Sequence, residues 1–171
     1  MENGMSADFF PWSPALCLSF TGHRNLSTAE RGILKRSLPA LLEQQYAIGK
    51  RIFLSGGALG FDTLAATEVL ALRNRHPDVR LMMILPCRSQ ADRWSASDQR
   101  IYTEILRAAD GVLYVSEVYF SGCMQKRNRF LIDHADTCFC YLTHCRGGTW
   151  NTVSYAYDRQ RLIRNLAQEK S

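Results

Sequence analysis

Ala15-Leu16-Cys17-Leu18-Ser19-Phe20-Thr21-Gly22-His23-Arg24 is a short apolar run that stops at a glycine turn. A continuous run without polar alternation is the pattern of a parallel strand buried on both faces. The turn leads into a helical pattern. There Ser27 and Glu30 form a capping box ahead of Ile33, Leu34, Leu38, Leu41 and Leu42, with Pro39 as an expected kink and Gly49 as the stop.

The same unit recurs along the chain. Strand residues 51–54 lead to Ser55-Gly56-Gly57-Ala58-Leu59-Gly60-Phe61-Asp62 and a helix carrying Leu64, Ala65, Val69, Leu70 and Leu72, closed by Pro77. A third strand over 79–85 ends at Pro86, and the polar segment 87–97 is long enough to loop over the sheet edge. Helix 98–109, strand 111–115, a turn through Tyr119 and Gly122, helix 123–134 and strand 137–142 follow. Gly147-Gly148-Thr149-Trp150-Asn151-Thr152 then opens a helix to about residue 159, and 162–166 reads as a final edge strand rather than more helix. This alternation predicts the α/β class: a Rossmann-like three-layer α/β/α sandwich with a mostly parallel five- or six-stranded sheet, in the order 3-2-1-4-5.

A chain of 171 residues fits one domain, and at this size roughly 70% of the unfolded surface is hidden on folding, enough for a core without metal or disulfide staples. Residues 15–166 form the expected domain, with 1–14 and 167–171 as tails, the first of them flexible. Phe9, Phe10 and Trp12 leave a second option there, packing on the body or on another subunit. No apolar run approaches the ~18 residues of a membrane span and no export signal opens the chain, so no membrane partner and a cytoplasmic location are expected. The six cysteines are read as reduced thiols, since Cys17, Cys138 and Cys140 lie in strand patterns. The spacing of Cys138, Cys140, His144 and Cys145 matches no zinc finger or ribbon, so no metal is expected.

The three glycine turns carry the chemistry. In a parallel sheet they share one edge, where glycine allows close approach of an anion and each following helix presents unpaired amides and a partial positive charge. The sheet edge therefore predicts a small phosphorylated, nucleotide-like ligand. Thr21, Gly22, His23 and Arg24 put a hydroxyl, a joint, an imidazole and a guanidinium at its centre, with Arg24 as a phosphate grip or as a cap on neighbouring carbonyls. Ser55, Gly56, Gly57, Ala58 and Gly60 follow a strand in a loose G-G-x-x-G array, and Asp62 either caps free amides or holds ribose hydroxyls. Arg127 and Asn128 offer a second anion clamp, and Gly147, Gly148, Thr149, Asn151 and Thr152 a third turn. Cys123 is either an activated thiol at a helix start or a buried structural one, and Trp94 or Tyr119 either stacks on a base or packs.

Taken in order, Thr21 to Arg24, Ser55 to Asp62, Gly122 to Asn128 and Gly147 to Thr152 resemble the SLOG superfamily, which groups the DNA-processing protein DprA with the LOG phosphoribohydrolases, and most closely its YpsA-like branch. The resemblance spans about residues 16–166 and implies a Rossmann-like fold with a pocket for a nucleotide or a nucleotide-derived molecule. LOG enzymes carry P-G-G-x-G-T-x-x-E at the last turn, where the glutamate assists N-glycosidic cleavage. Here Thr152 stands in the place of that glutamate and no proline precedes Gly147, which argues against phosphoribohydrolase activity.

The leading expectation is a binding module for an ADP-ribose-like or NAD-derived ligand, acting as sensor or adaptor, with no certain cofactor. A hydrolase or transferase acting on a nucleotide's glycosidic or phosphate bond through another carboxylate is the alternative. Single-stranded nucleic acid ranks third: the net charge of +5 and a pI near 9.0 suit it, but the basic residues are dispersed. A homodimer through exposed helices is the assembly that such domains lead one to expect.

Overall fold

A computed structural model describes residues 10–168. Strands β1 (Cys17–Gly22), β2 (Ile52–Ser55), β3 (Arg80–Leu85), β4 (Gly111–Tyr114), β5 (Thr137–Tyr141) and β6 (Leu162–Asn165) alternate with helices α1 (Thr28–Ala47), α2 (Phe61–Arg75), α3 (Ala96–Ala108), α4 (Cys123–Asp133) and α5 (Gly147–Asp158). All strand pairs are parallel, in the order β4-β3-β2-β1-β5-β6. One face of the sheet packs Phe20, Phe53, Leu81, Met83 and Phe139 against α1, α2 and α3. The other packs Ile52, Leu54, Met82 and Ile84 with Leu131 of α4, and Cys138 and Cys140 with Ile132 of α4 and Ala156 of α5. The result is the three-layer α/β/α sandwich.

The sheet order corrects the expected 3-2-1-4-5. The strand beside β1 is β5, while β4 lies outside β3 at the edge. Burial explains the choice. All five residues of β5 are buried, as a strand between two neighbours requires, whereas β4 is four residues long and buries only Leu113 fully. The chain therefore winds outward from β1 to β4, crosses beneath the sheet through α4, and resumes on the other side of β1. That reversal puts the topological switch point, where open α/β sheets form a crevice, between β1 and β5.

Local signals at the element ends mostly act as read. Ser27 and Glu30 form the capping box, with the Ser27 amide donating to Glu30 Oε2 at 2.7 Å and the Glu30 amide to Ser27 Oγ at 3.1 Å. Helix α1 runs unbroken through Pro39, and Gly49, at φ +106°, follows its end. Residues 15 and 16, expected in the first strand, instead lie in a 3₁₀ turn over Pro14–Leu16, because Pro14 fixes φ at the turn's start and Ser13 caps it. The expected edge strand after α5 is β6.

At the amino ends of the strands, the buried Lys50 ammonium donates to Ala15 O at 2.7 Å and pairs with Asp136, which also accepts from Thr137 Oγ1. This ties together the segments entering β1, β2 and β5. Phe10 meets Trp12, Phe130 and His134 edge-on, with ring centroids 5.0–5.6 Å apart, so residues 10–12 pack on α4. The rest of the expected tails, 1–9 and 169–171, lies outside the described residues.

A close backbone approach joins the exit of β1 to the start of α2. A Cβ on Gly60, which has φ +78°, would stand 2.2 Å from the carbonyl oxygen of Arg24 and 2.5 Å from that of His23. Gly60→Ala should therefore lower the unfolding free energy by about 1–3 kcal/mol, from overpacking plus an unfavourable backbone conformation. Urea denaturation checks this, with Gly148→Ala, whose Cβ meets nothing within 4 Å, as the comparison.

Candidate functional site

A cavity of about 630 Å³ opens at the carboxyl ends of the strands beside the β1/β5 switch point. It brings together Thr21, Gly22, His23 and Arg24 after β1, Ala58 and Asp62 from the β2–α2 connection, Arg127 and Asn128 of α4, and Gly148, Thr149, Asn151 and Thr152 of α5. Ser55, Gly56, Gly57, Gly60 and Gly147, also expected at the ligand, do not line it.

The glycines of the second turn have other work. The Gly57 amide donates to Ser55 Oγ at 3.2 Å, the Ala58 amide to Asp62 Oδ2 at 3.4 Å, and the Thr63 amide to Ala58 O at 3.2 Å. The amide of Phe61, first residue of α2, donates to His23 O at 3.2 Å. The Gly57 and Ala58 amides are thus engaged within the protein, and this turn closes on itself and on β1. Gly56 is a glycine because the Arg127 guanidinium lies against it, a Cβ there being 2.4 Å from Nη1. Gly22 likewise makes room for Phe61, whose Cβ would stand 2.5 Å from a side chain on it.

The third turn behaves differently. No side chain caps α5, whose N-cap is Arg146, and Gly147 at φ +82° swings the chain into the helix so that Gly148 and Thr149 face the cavity. The first amides of a helix have no intrahelical acceptor, so this terminus presents free N–H donors and the positive end of the helix dipole. Thr152 is buried and donates its hydroxyl to Gly148 O at 2.8 Å. It contributes neither a charge nor a base.

Two buried groups of opposite charge sit at the cavity wall. Arg127, 4% exposed, donates Nε to Asn128 Oδ1 at 2.7 Å and Nη1 to Gly56 O, with Gln90 Oε1 3.5 Å from Nη1. Gln90 in turn donates to Gly56 O and Gly57 O at 3.3 and 3.0 Å, so the loop after β3 holds the turn from above. Burial lowers the Arg127 pKa, and the field of Asp62 opposes that. Asp62, 5% exposed, has its carboxyl pushed up to about 6 by burial, against the pull of Arg127, the Ala58 amide and Arg24. Arg24 is exposed at the rim and its guanidinium makes no hydrogen bond among the described residues.

His23 has a structural task beside its place in the cavity. Its Nε2 accepts the Thr143 amide at 2.9 Å, and its ring stacks on His144 at 4.2 Å, which anchors the loop leading to α5. Burial and the neighbouring His144 lower its pKa.

Sequence reasoning missed Met124, Gln125, Arg129, Ser154, Tyr155 and Asp158, which also line the cavity. Their signal is helical spacing: once α5 starts at Gly147, residues 151, 154, 155 and 158 share a face with Gly148. Trp94 meets Tyr102 edge-on at 5.1 Å, and neither Trp94 nor Tyr119 lines the cavity. Cys123 is fully buried and does not line the cavity. All six cysteines are free, and burial pushes the Cys17 and Cys140 thiols up to about 12. Among the described residues no helix is long and apolar enough to cross a membrane.

The fold and site define a Rossmann-like α/β protein with a polar cavity at its switch point. The chain belongs to the YpsA family, described as the YspA SLOG family, whose model matches residues 20–163. The uncharacterized SPbeta prophage-derived protein YoqJ of Bacillus subtilis (strain 168) is 31% identical over 136 residues, which cover 72% of this chain and 80% of that protein. A UPF0398 protein of Halalkalibacterium halodurans is 30% identical over 116 residues, 67% of this chain but 59% of its own length. Among solved structures, DNA processing protein A (DprA) from Streptococcus pneumoniae superposes with a TM-score of 0.63 at 19% identity, over 88% of this chain and 49% of that one. DprA from Helicobacter pylori, whose structure addresses its single-stranded DNA binding mode, gives a TM-score of 0.62 at 22% identity, over 88% and 64%. The DprA likeness is one of fold.

The Asp62 environment makes a testable statement about pH. With the folded carboxyl at about 6 and the ordinary value at 3.8, the native state holds more protons than the unfolded chain between those values, so stability falls as pH rises through that window. Denaturation of the unliganded protein between pH 4 and 7 should show this fall, and Asp62→Asn should flatten it. An identical pH profile in the variant would mean that Asp62 titrates normally.

Proposed function

We propose that the cavity holds a nucleotide or a nucleotide-derived ligand of the ADP-ribose or NAD kind and that the protein acts as a sensor or adaptor for it. One observation carries the reading: the uncapped start of α5 and the unpartnered Arg24 guanidinium meet at the same cavity. Both favour an anion, and among the described residues neither has a hydrogen-bonding side chain to satisfy it. Behind them Arg127 adds a fixed positive charge held by its own hydrogen bonds, and Asp62 is available to ribose hydroxyls. Thr21, whose hydroxyl makes no hydrogen bond to another described residue, completes the polar wall.

Asp62 favours a second reading. A carboxyl held near pH 6 at the wall of a cavity is suited to proton transfer near neutrality, so hydrolysis of a nucleotide's glycosidic or phosphate bond competes with binding alone. Incubation with AMP, NAD and ADP-ribose, followed by chromatography, separates the two. Turnover abolished by Asp62→Asn supports the enzyme, and intact nucleotide supports the sensor. Single-stranded DNA, suggested by the fold shared with DprA and by the +5 charge, predicts a steep loss of affinity with salt, which a small ligand in a preformed cavity does not.

Calorimetry with AMP, NAD and ADP-ribose tests the main reading directly. Arg24→Ala should weaken binding by about 1.5–3 kcal/mol, the range for a hydrogen bond to a charged group. Unchanged affinity would remove Arg24 from the site.

A further inference from the structure

The cavity has a second end. Beyond the α5 amides it continues along the helix between α4 and α5 to Asp158, the last residue of α5. Gly148 and Asp158 are ten residues apart, which is about 15 Å of helix, shortened at the side-chain level because helical side chains lean toward the N-terminus. One end is cationic, and at the other Asp158 supplies a carboxylate, with the Arg129 guanidinium over the Tyr155 ring beside it.

Asp158 is badly placed for stability. A carboxylate at a helix C-terminus faces the negative end of the dipole, and the last turn of α5 has no basic residue to offset it. The adjacent Arg159 is turned away, its Nε 3.0 Å from Asp133 Oδ1. Asp158 itself has neither a hydrogen bond nor an ion pair among the described residues. The wall beside it is firm: the Tyr155 hydroxyl donates to both oxygens of Asp133 at 3.0 and 3.1 Å, and the Arg129 guanidinium lies 5.5 Å from the centre of the Tyr155 ring. An ionised carboxylate only accepts hydrogen bonds, so whatever meets it must donate.

Resting on the ligand reading above, we propose that Asp158 selects the base of the bound nucleotide by accepting a hydrogen bond from its exocyclic amino group. A nucleoside monophosphate carries its phosphate and the far edge of its base at opposite ends, matching the two ends of the cavity. With the phosphate at the α5 amides and Arg24, the base edge points toward Asp158. Adenine presents an amino donor there, whereas hypoxanthine presents a carbonyl oxygen, an acceptor that a carboxylate repels. The ligand class is therefore an amino-bearing nucleotide, and the polarity of the base edge is what Asp158 reads.

AMP and IMP, which differ at the C6 substituent and in the accompanying change from N1 to N1–H, provide the test by calorimetry at fixed salt and pH 7.5, with thermal melting to verify that each variant is folded. The wild-type chain should bind AMP about tenfold or more tightly than IMP, the scale of one charge-assisted hydrogen bond. Asp158→Ala should bring the two within about twofold of each other, and Asp158→Asn, whose amide can donate to the IMP oxygen, should shift the preference toward IMP. Equal affinities in the wild type, or an AMP preference that survives in Asp158→Ala, would overturn the assignment while leaving the ligand reading intact. Failure of both nucleotides to bind the wild-type chain would overturn the assignment, and failure of NAD and ADP-ribose as well would overturn the ligand reading.

Discussion

The exit turn of β1 and the first turn of α2 meet at backbone distance, and the cavity depends on that contact. Gly22 admits Phe61, Gly60 admits the carbonyls of His23 and Arg24, and the Phe61 amide seals the approach by donating to His23 O. With the turn pinned from below, Arg24 projects at the rim and Asp62, one residue into α2, is carried against the cavity wall. Burial of Asp62 then raises its carboxyl pKa. A side chain at either glycine would separate the two elements and move every one of these groups.

Two sets of backbone amides with similar sequence signatures have opposite fates. The Gly57, Ala58, Phe61 and Thr63 amides of the β2–α2 turn are satisfied within the protein, by Ser55, Asp62 and the carbonyls of Ala58 and His23. That turn is a structural joint on which Arg127 rests, its guanidinium against Gly56 and supported by Gln90 and Asn128. The amides opening α5 have no such side-chain cap. The α5 terminus is exposed and opens on the polar cavity, where its N–H donors and the positive end of the helix dipole suit an anion.

The polarity of the site follows from this division. Positive groups gather around the starts of α5 and α4, while the negative charge of Asp158 lies at the far end of α5 against the sense of its dipole. The same helix thus presents donors at one end and an acceptor at the other. Membership in the YpsA family gives the frame, and the Thr152 hydroxyl closes onto Gly148 O within the first turns of α5.

Much of the fold was legible in the residues because the signals are local. Apolar runs ending in glycine turns, the Ser27–Glu30 capping box and the helix stops at Gly49 and Pro77 each depend on a few neighbouring positions, and they define the alternation of strand and helix. The same locality made Thr21 to Arg24, Asp62, Arg127 and the start of α5 readable as one sheet edge. Strand order was not readable in this way, since either β4 or β5 can continue the pattern beside β1, and the choice rests on which strand is buried on both sides once all helices have packed. Nor could composition distinguish free amides from engaged ones: whether the Gly57 and Ala58 donors are available depends on where the Ser55 and Asp62 side chains turn. Ser154, Tyr155 and Asp158 entered the cavity only when α4 came to lie against α5, a pairing made by packing across the sheet rather than by any motif in either helix.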